Sequence, residues 1–471
     1  MKKLFFIIFL IATILLVQVT LATSNPKVKR VIAHNAKAED RALFESQGCV
    51  IIHKLINLTA MSCPEEIAKN YEPDKIYHVL DTESNEQINV DDVWNLGYTG
   101  EGVTIAVLDT GIDTDHPELS TSIVGGRCFV TSPTPCSPDD YEDYDGHGTR
   151  VAGVITADGN DANAKSVSPD AKIWVGRVCD RSCFSSDIAA GIEYVVLNDI
   201  SKIISISVGG AGTSEANCDG EVVPDKANWA VDQGVTVIAA AGRWNNSVAE
   251  PACASKVIAV GAVSKTDERW IKSGTGLALD MMGPGVDIYT TQLGGGYSSG
   301  TGTSMGAPHV SAVIALLRQI NPGLTDSQIK DALYQTAVDL GESGWDVYHG
   351  WGRIDALGAA NYVMSQSMRV ASIDMALSIR PKITSAKATV TITDLNNIPV
   401  KKARVYGYWG GVTTDMDSKT TNGKGQVTLR SDRVKDAASG IVFTFCVDNV
   451  VKSSWIYYPG ANVINCNSIT V

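Results

Sequence analysis

Short apolar runs rich in β-branched residues alternate with helical patterns along the middle of the chain, and this alternation limits the fold more than any other feature. The runs are Val103–Leu108, Lys172–Val178, Ile203–Val208 and Val235–Ala241, and Asp187–Leu197 and Asp225–Gln233 between them carry helical spacing. Strand and helix in turn predict an α/β fold, a parallel sheet with helices on both faces. In open sheets of this kind the chemistry gathers at the carboxyl ends of the strands. The first run leads directly into Asp109.

Asp109 lies in Val107-Leu108-Asp109-Thr110-Gly111, and His147 in Asp145-Gly146-His147-Gly148-Thr149. Ser304 lies in Gly302-Thr303-Ser304-Met305-Gly306-Ala307-Pro308-His309. A hydroxyl, an imidazole base and a carboxylate that orients it make an acyl-transfer apparatus. Helices predicted over His147–Ile155 and Ser304–Ile320 put two of the three at helix starts, where free N–H groups and partial positive charge reside. Gly146, Gly148 and Gly302 permit tight backbone paths that a Cβ would block. Pro308 is costly inside a helix, which points to a bend that positions Ser304. The chain order Asp, His, Ser differs from the chymotrypsin and α/β-hydrolase orders. On these motifs, roughly residues 85–365 resemble the subtilisin-like serine peptidases. The resemblance implies an endopeptidase acting on polypeptides, with Asp109, His147 and Ser304 as its triad.

The same resemblance implies that Ser207, Val208, Gly209 and Gly210 pair with an extended peptide as an added strand. Ala241 and Gly242 would form the facing wall. One departure stands out. The family carries Ala-Gly-Asn after the strand, and the Asn amide helps hold the developing oxyanion. Here Ala241-Gly242 is followed by Arg243, with Asn245 and Asn246 as further candidate donors. Loss of that amide in subtilisin costs about 10²–10³ in turnover. A second reading follows: a surface binding protein, catalytically impaired, that acts through a C-terminal β-domain. The resemblance also implies structural calcium, held by Glu118, Asp158, Asn160, Ala162 and Ala164. Asp158-Gly159-Asn160-Asp161 reads equally as an ordinary surface turn. Arg150 reads as a helix-surface residue, and His116 and His309 as packing residues.

Met1-Lys2-Lys3, an apolar run Leu4–Val17 and Thr20-Leu21-Ala22 make a secretory signal over residues 1–22, with an uncleaved anchor as the other reading. Residues 25–82 read as a small α+β unit: strands Val31–His34, Cys49–Ile56 and Ile76–Leu80, helices Ala38–Gln47 and Pro64–Tyr71. By resemblance this is an inhibitory propeptide, released near Leu80–Gln87; a domain that is never removed is the alternative. The peptidase region spans 85–367. Alternating strands at Ala388–Thr393, Arg404–Trp409, Gln426–Leu429 and Ile441–Val447 predict an all-β, immunoglobulin-like module over 373–471. Ten cysteines behind a secretory signal predict disulfides and a secreted or cell-surface location. Proximity pairs Cys49 with Cys63, Cys128 with Cys136, Cys179 with Cys183 and Cys446 with Cys466, leaving Cys218 and Cys253 on the two loops expected beside the cleft. A net charge of −13 argues against nucleic acid and anionic membrane as partners. The partners implied are polypeptide substrates and the chain's own propeptide.

Overall fold

Alternate residues of the central strands are apolar on both faces, so the sheet they form must be covered on both sides. The computed structural model describes residues 28–34, 37–55, 58–73, 83–132, 134–180, 182–213 and 216–471. The chain forms two units, residues 1–79 and 80–471.

In the first unit the described residues form a four-stranded antiparallel sheet, in the order Val50–Leu55, Leu58–Pro64, Val28–His34, Glu72–Pro73. The helix Ala38–Ser46 contributes Phe44 to a small core with Val31, Met61 and the Cys49–Cys63 disulfide. The helix expected over Pro64–Tyr71 shrinks to Glu65–Ala68. The residues before it form a strand instead, with Thr59, Met61 and Cys63 buried on one face at a period of two. The proposed signal over 1–22 and the strand Ile76–Leu80 lie outside the described residues.

The second unit is built on seven parallel strands: β1 Thr104–Asp109, β2 Ile123–Cys128, β3 Lys172–Arg177, β4 Ile203–Ile206, β5 Thr236–Ala240, β6 Ile258–Val263 and β7 Met281–Pro284. Their spatial order is β7-β6-β5-β4-β1-β3-β2. The order therefore reverses at β1. Five helices of the region are α1 His147–Thr156, α2 Ser185–Leu197, α3 Val222–Asp232, α4 Thr303–Ile320 and α5 Asp326–Thr336. A sixth, α6 Ala356–Gln366, follows. Ile105, Val107, Ile173, Val175 and Ile238 pack against α1 and α4 on one face. Ala106, Leu108, Ile204, Ile206, Val237 and Ala239 meet Ile188, Ile192, Ala227 and Ala230 of α2 and α3 on the other. Each large aliphatic side chain so covered contributes about 1.5–3 kcal/mol.

Helix α4 is the centre of this region. All its residues except Ser304 and Gln319 are buried. A helix apolar around its whole circumference belongs inside a protein. A Cβ at Gly306 would lie 2.5 Å from the Gly261 carbonyl oxygen of β6. Helix and sheet therefore meet backbone to backbone, and the height of Ser304 above the sheet is set by that contact.

The chain passes from α6 straight into β8 Ser367–Arg380, which pairs along its length with β9 Ile383–Asp394. With β12 Gln426–Arg430 and the short Ile456–Tyr457 they make one sheet. β10 Arg404–Gly411, β11 Met416–Thr420, β13 Val442–Val451 and β14 Cys466–Thr470 make the other. Trp409, Phe443 and Phe445 fill the space between them with Val370, Val390 and Val427. The all-β part thus begins at Ser367, ahead of the expected 373. The buried Asn321 amide donates to the Ser367 hydroxyl at 2.8 Å, tying the start of β8 to the α/β body. All five disulfides form, including Cys218–Cys253, and match the proximity pairing. No described helix is long and apolar enough to cross a membrane.

Candidate active site

Where strand order reverses, the loops that follow neighbouring strands part and leave a crevice. Here β5, β4 and β1 lie side by side, and their carboxyl ends lead to Gly242, Ser207 and Asp109. Asp109 is 1% exposed, and its Oδ1 accepts the Thr110 N–H at 2.8 Å and faces His147 Nδ1 at 2.7 Å. A carboxylate only accepts, so Nδ1 carries the proton and Nε2 is left as the acceptor. The Asp109 charge raises the His147 pKa above its ordinary 6.5; burial opposes this, and Asp145 and Asp143 add to the rise.

A second buried carboxylate builds the turn that carries His147. Asp143 Oδ1 accepts the Thr110 hydroxyl and the N–H groups of Asp145 and Gly146 at 2.8–3.0 Å. Its Oδ2 accepts the N–H and hydroxyl of Thr149 at 2.9 and 2.6 Å. Burial alone would raise the Asp143 pKa, but these hydrogen bonds together prevail and lower it. Gly148 lies on the far side of the turn. A Cβ there would sit 2.1 Å from the Gly111 carbonyl oxygen, so no other residue lets α1 approach the loop after β1 this closely.

Ser304 is at the second position of α4, where the N–H lacks an intrahelical acceptor. Its carbonyl would normally bind the N–H four residues on, but that residue is Pro308, which has none. The Ser207 hydroxyl takes the vacancy and donates to the Ser304 carbonyl at 3.1 Å. The Ser304 hydroxyl donates in return to the Ser207 carbonyl at 3.0 Å. In this resting arrangement Ser304 is not bonded to His147, although both line one cleft of about 610 Å³. His309, on the next turn, is buried, bonds Met305 through Nδ1 and is held neutral, its pKa pushed down by burial to about 4. It packs, as does His116, which is fully buried between the Gly296 carbonyl and the Glu118 N–H.

Ser207 and Gly209 line the cleft with Ala240, Gly242 and Ala249. Ala241, expected on the wall, points into the α2–α3 core instead. Side chains alternate along β5, so Ala240 and Gly242 share the face that Ala241 turns away from. Val208 and Gly210 adjoin the cleft without lining it; the Gly210 N–H is taken by the Glu250 carbonyl at 3.0 Å. Arg243 lines the cleft, but Asn245 and Asn246 do not. The Asn245 side-chain oxygen accepts from Arg269 at 3.1 Å. Sequence reasoning missed Thr303, whose hydroxyl accepts the Gly242 N–H at 3.0 Å and stitches the wall to the start of α4. It also missed Trp270 and Lys272, and Arg150 lines the cleft rather than an outer helix surface.

Of the ligands expected for calcium, Glu118 is already engaged by other partners. Glu118 is fully buried. Its Oε2 accepts the N–H groups of Gly159 and Asn160 at 2.7 and 3.0 Å. Its Oε1 accepts the Asp161 N–H and the Tyr297 hydroxyl, each at 2.7 Å. Four donors occupy the lone pairs of one carboxylate. Asp158 accepts from the Thr121 hydroxyl at 2.8 Å, and the Asn160 amide donates to the Pro117 carbonyl at 3.1 Å. Ala162 and Ala164 lie in a 3₁₀ turn. The Glu118 carboxylate is therefore already saturated by donors and has no free lone pair to offer a cation. EDTA is expected to leave the melting temperature unchanged. Glu118→Gln is expected to cost about 2 kcal/mol, seen as a drop of several degrees. A large EDTA effect on the unmutated protein would overturn this account.

Comparison with known proteins agrees with the geometry. The sequence profile of the subtilase family matches residues 100–352. Subtilisin E of Bacillus subtilis is 39% identical over 281 residues, covering 58% of this chain and 70% of that protein. The subtilisin of Bacillus pumilus is also 39% identical over 281 residues, 96% of its length. The minor extracellular protease Epr of Bacillus subtilis is 33% identical over 327 residues, 68% of this chain and 47% of that protein. The chain belongs to the subtilase family of serine peptidases.

Proposed function

We propose that this chain is a secreted endopeptidase, made with a signal and an inhibitory propeptide, that cleaves peptide bonds through an acyl-enzyme at Ser304. The observation that carries the reading is the 2.7 Å contact between His147 Nδ1 and a buried Asp109 on the cleft that Ser304 lines. A peptide lies along Ser207–Gly209. Ser304 leaves the Ser207 carbonyl by rotation about χ1 and turns its hydroxyl to His147 Nε2. The imidazole takes the proton as Oγ attacks the peptide carbonyl, and Asp109 stabilises the imidazolium. The Ser304 N–H and the Arg243 guanidinium face the developing oxyanion. His147 then protonates the leaving amine, and water repeats the sequence to release the acyl group.

The second reading, a binding protein with an impaired centre, draws support from the bond that Ser304 makes to Ser207 rather than to His147. A fluorophosphonate probe separates the two. Labelling at Ser304 that disappears in His147→Ala supports the enzyme. A mature protein that stays unlabelled supports the binder.

His147 acts as a base only when neutral, and its pKa lies above the ordinary 6.5. The acid limb of kcat/KM is therefore expected above pH 6.5. Asp145→Asn removes one of the anions that raise this pKa, so the limb should move to lower pH. A limb that stays in place or moves upward contradicts the assignment of His147 as base.

Arg243→Asn restores the short neutral donor of the family and is expected to raise kcat on a neutral peptide. An unchanged or lower kcat would mean that Arg243 already serves the oxyanion as well as an amide does.

A further inference from the structure

The cleft carries a charge opposite to that of the molecule. The protein has a net charge of −13, yet Arg150, Arg243 and Lys272 line the cleft and no Asp or Glu does. Among the described residues none of these three cations makes a salt bridge or a side-chain hydrogen bond, and the Arg150 Nε is buried without a partner. Some cations elsewhere do meet carboxylates: Lys202 meets Asp199, Lys226 meets Glu193 and Lys256 meets Asp232. Trp244 and Trp270 stand beside the cations in the cleft. Apolar rings exclude water and strengthen any charge pair formed next to them.

The nearby anions do not cancel this field. Asp109 is spent on His147. Asp143 is buried under five hydrogen bonds, from Thr110, Asp145, Gly146 and twice from Thr149. Asp145 is exposed on the turn before His147, and Glu250 lies beside Gly210; neither lines the cleft.

The position of the cations also carries information. Gly209, Ala240, Gly242 and Ala249 contribute an uncharged stretch of the cleft lining. Arg150 lies one turn beyond His147 on α1. In the proposed reaction His147 must reach the leaving amine, so the part of the cleft it shares with Arg150 belongs to the leaving segment of the peptide. We infer that Arg150 and Lys272, with Arg243 at the junction, select peptides that carry an acidic side chain on the leaving-group side of the scissile bond. This rests on the endopeptidase reading above and names its substrate class.

The test uses three quenched fluorescent peptides that differ only at the first two leaving-group positions, bearing Glu, Gln or Lys. The protein is expected to cleave the Glu peptide with kcat/KM about tenfold above the Lys peptide at low salt. The ratio should shrink toward one as salt screens exposed charge. Lys272→Glu and Arg150→Glu should each lower the ratio, and Lys272, being exposed, can be changed without disturbing the core. Cleavage of the Gln peptide with a Glu/Lys ratio near one, or a ratio that ignores both variants and salt, overturns the inference and leaves the endopeptidase reading intact. Failure to cleave any of the three, together with no fluorophosphonate labelling, overturns both.

Discussion

A carboxylate taken out of water at the end of a central strand must have its charge answered inside the protein. Asp109 meets that demand through Oδ1, which takes the His147 imidazole and one backbone N–H, while Oδ2 is buried without a partner. Much of the surrounding architecture serves to keep the imidazole within reach. Asp143, in the segment that leads into His147, binds Thr110 on one side and the turn around His147 on the other. Thr110 in turn accepts the Gly148 N–H at 2.9 Å. The strand that ends on Asp109 and the helix that begins on His147 are thereby latched through a single buried anion. Removing Asp143 would leave several N–H groups unpaired, a penalty larger than the net worth of the bonds themselves.

Ser304 is held by a different device. An uninterrupted helix would take its carbonyl into the i→i+4 ladder and leave nothing for a neighbouring strand to hold. Pro308 breaks the ladder at that one carbonyl, and Ser207 occupies it. The first turn of α4 is therefore bonded to the residue after β4, and Thr303 bonds it to the residue two beyond β5. The helix behind is buried nearly all round, so the turn has little freedom to drift. Rigid placement of a reacting atom by packed elements is what makes an effective local concentration possible.

The strands and helices that carry the three residues were legible from the chain alone, because β-branched runs and helical periods are local signals. The extended motifs around Asp109, His147 and Ser304 were legible for the same reason. What the sequence hid was direction. Nothing in Ala239-Ala240-Ala241 says which alanine faces the cleft until β5 is paired with β4 and β6. Asp158–Asp161 reads as oxygen-rich, whereas three backbone N–H groups of that loop point at Glu118, a residue some 40 positions earlier. Leu58–Pro64 looked unremarkable because its alternation is carried by Thr59, Met61 and Cys63 rather than by large aliphatics. Arg150 and Lys272 converge from segments 122 residues apart, which no local pattern reports.

Arg243 illustrates how one replacement alters the character of a site. A short amide is aimed by its own backbone and needs no reorganisation as charge develops, which is where most of its catalytic value lies. A guanidinium brings a full charge and several donors, but on a long side chain that is exposed and unpaired here. Ordering such a side chain costs up to about 2 kcal/mol. Its attraction for an oxyanion is weak in water and grows several-fold once water is excluded. The neighbouring Trp244 and Trp270 can exclude water only when a peptide lies against them. The electrostatic help available in this cleft thus depends on how fully the substrate fills it, and a substrate that also engages Arg150 and Lys272 is the one that fills it best.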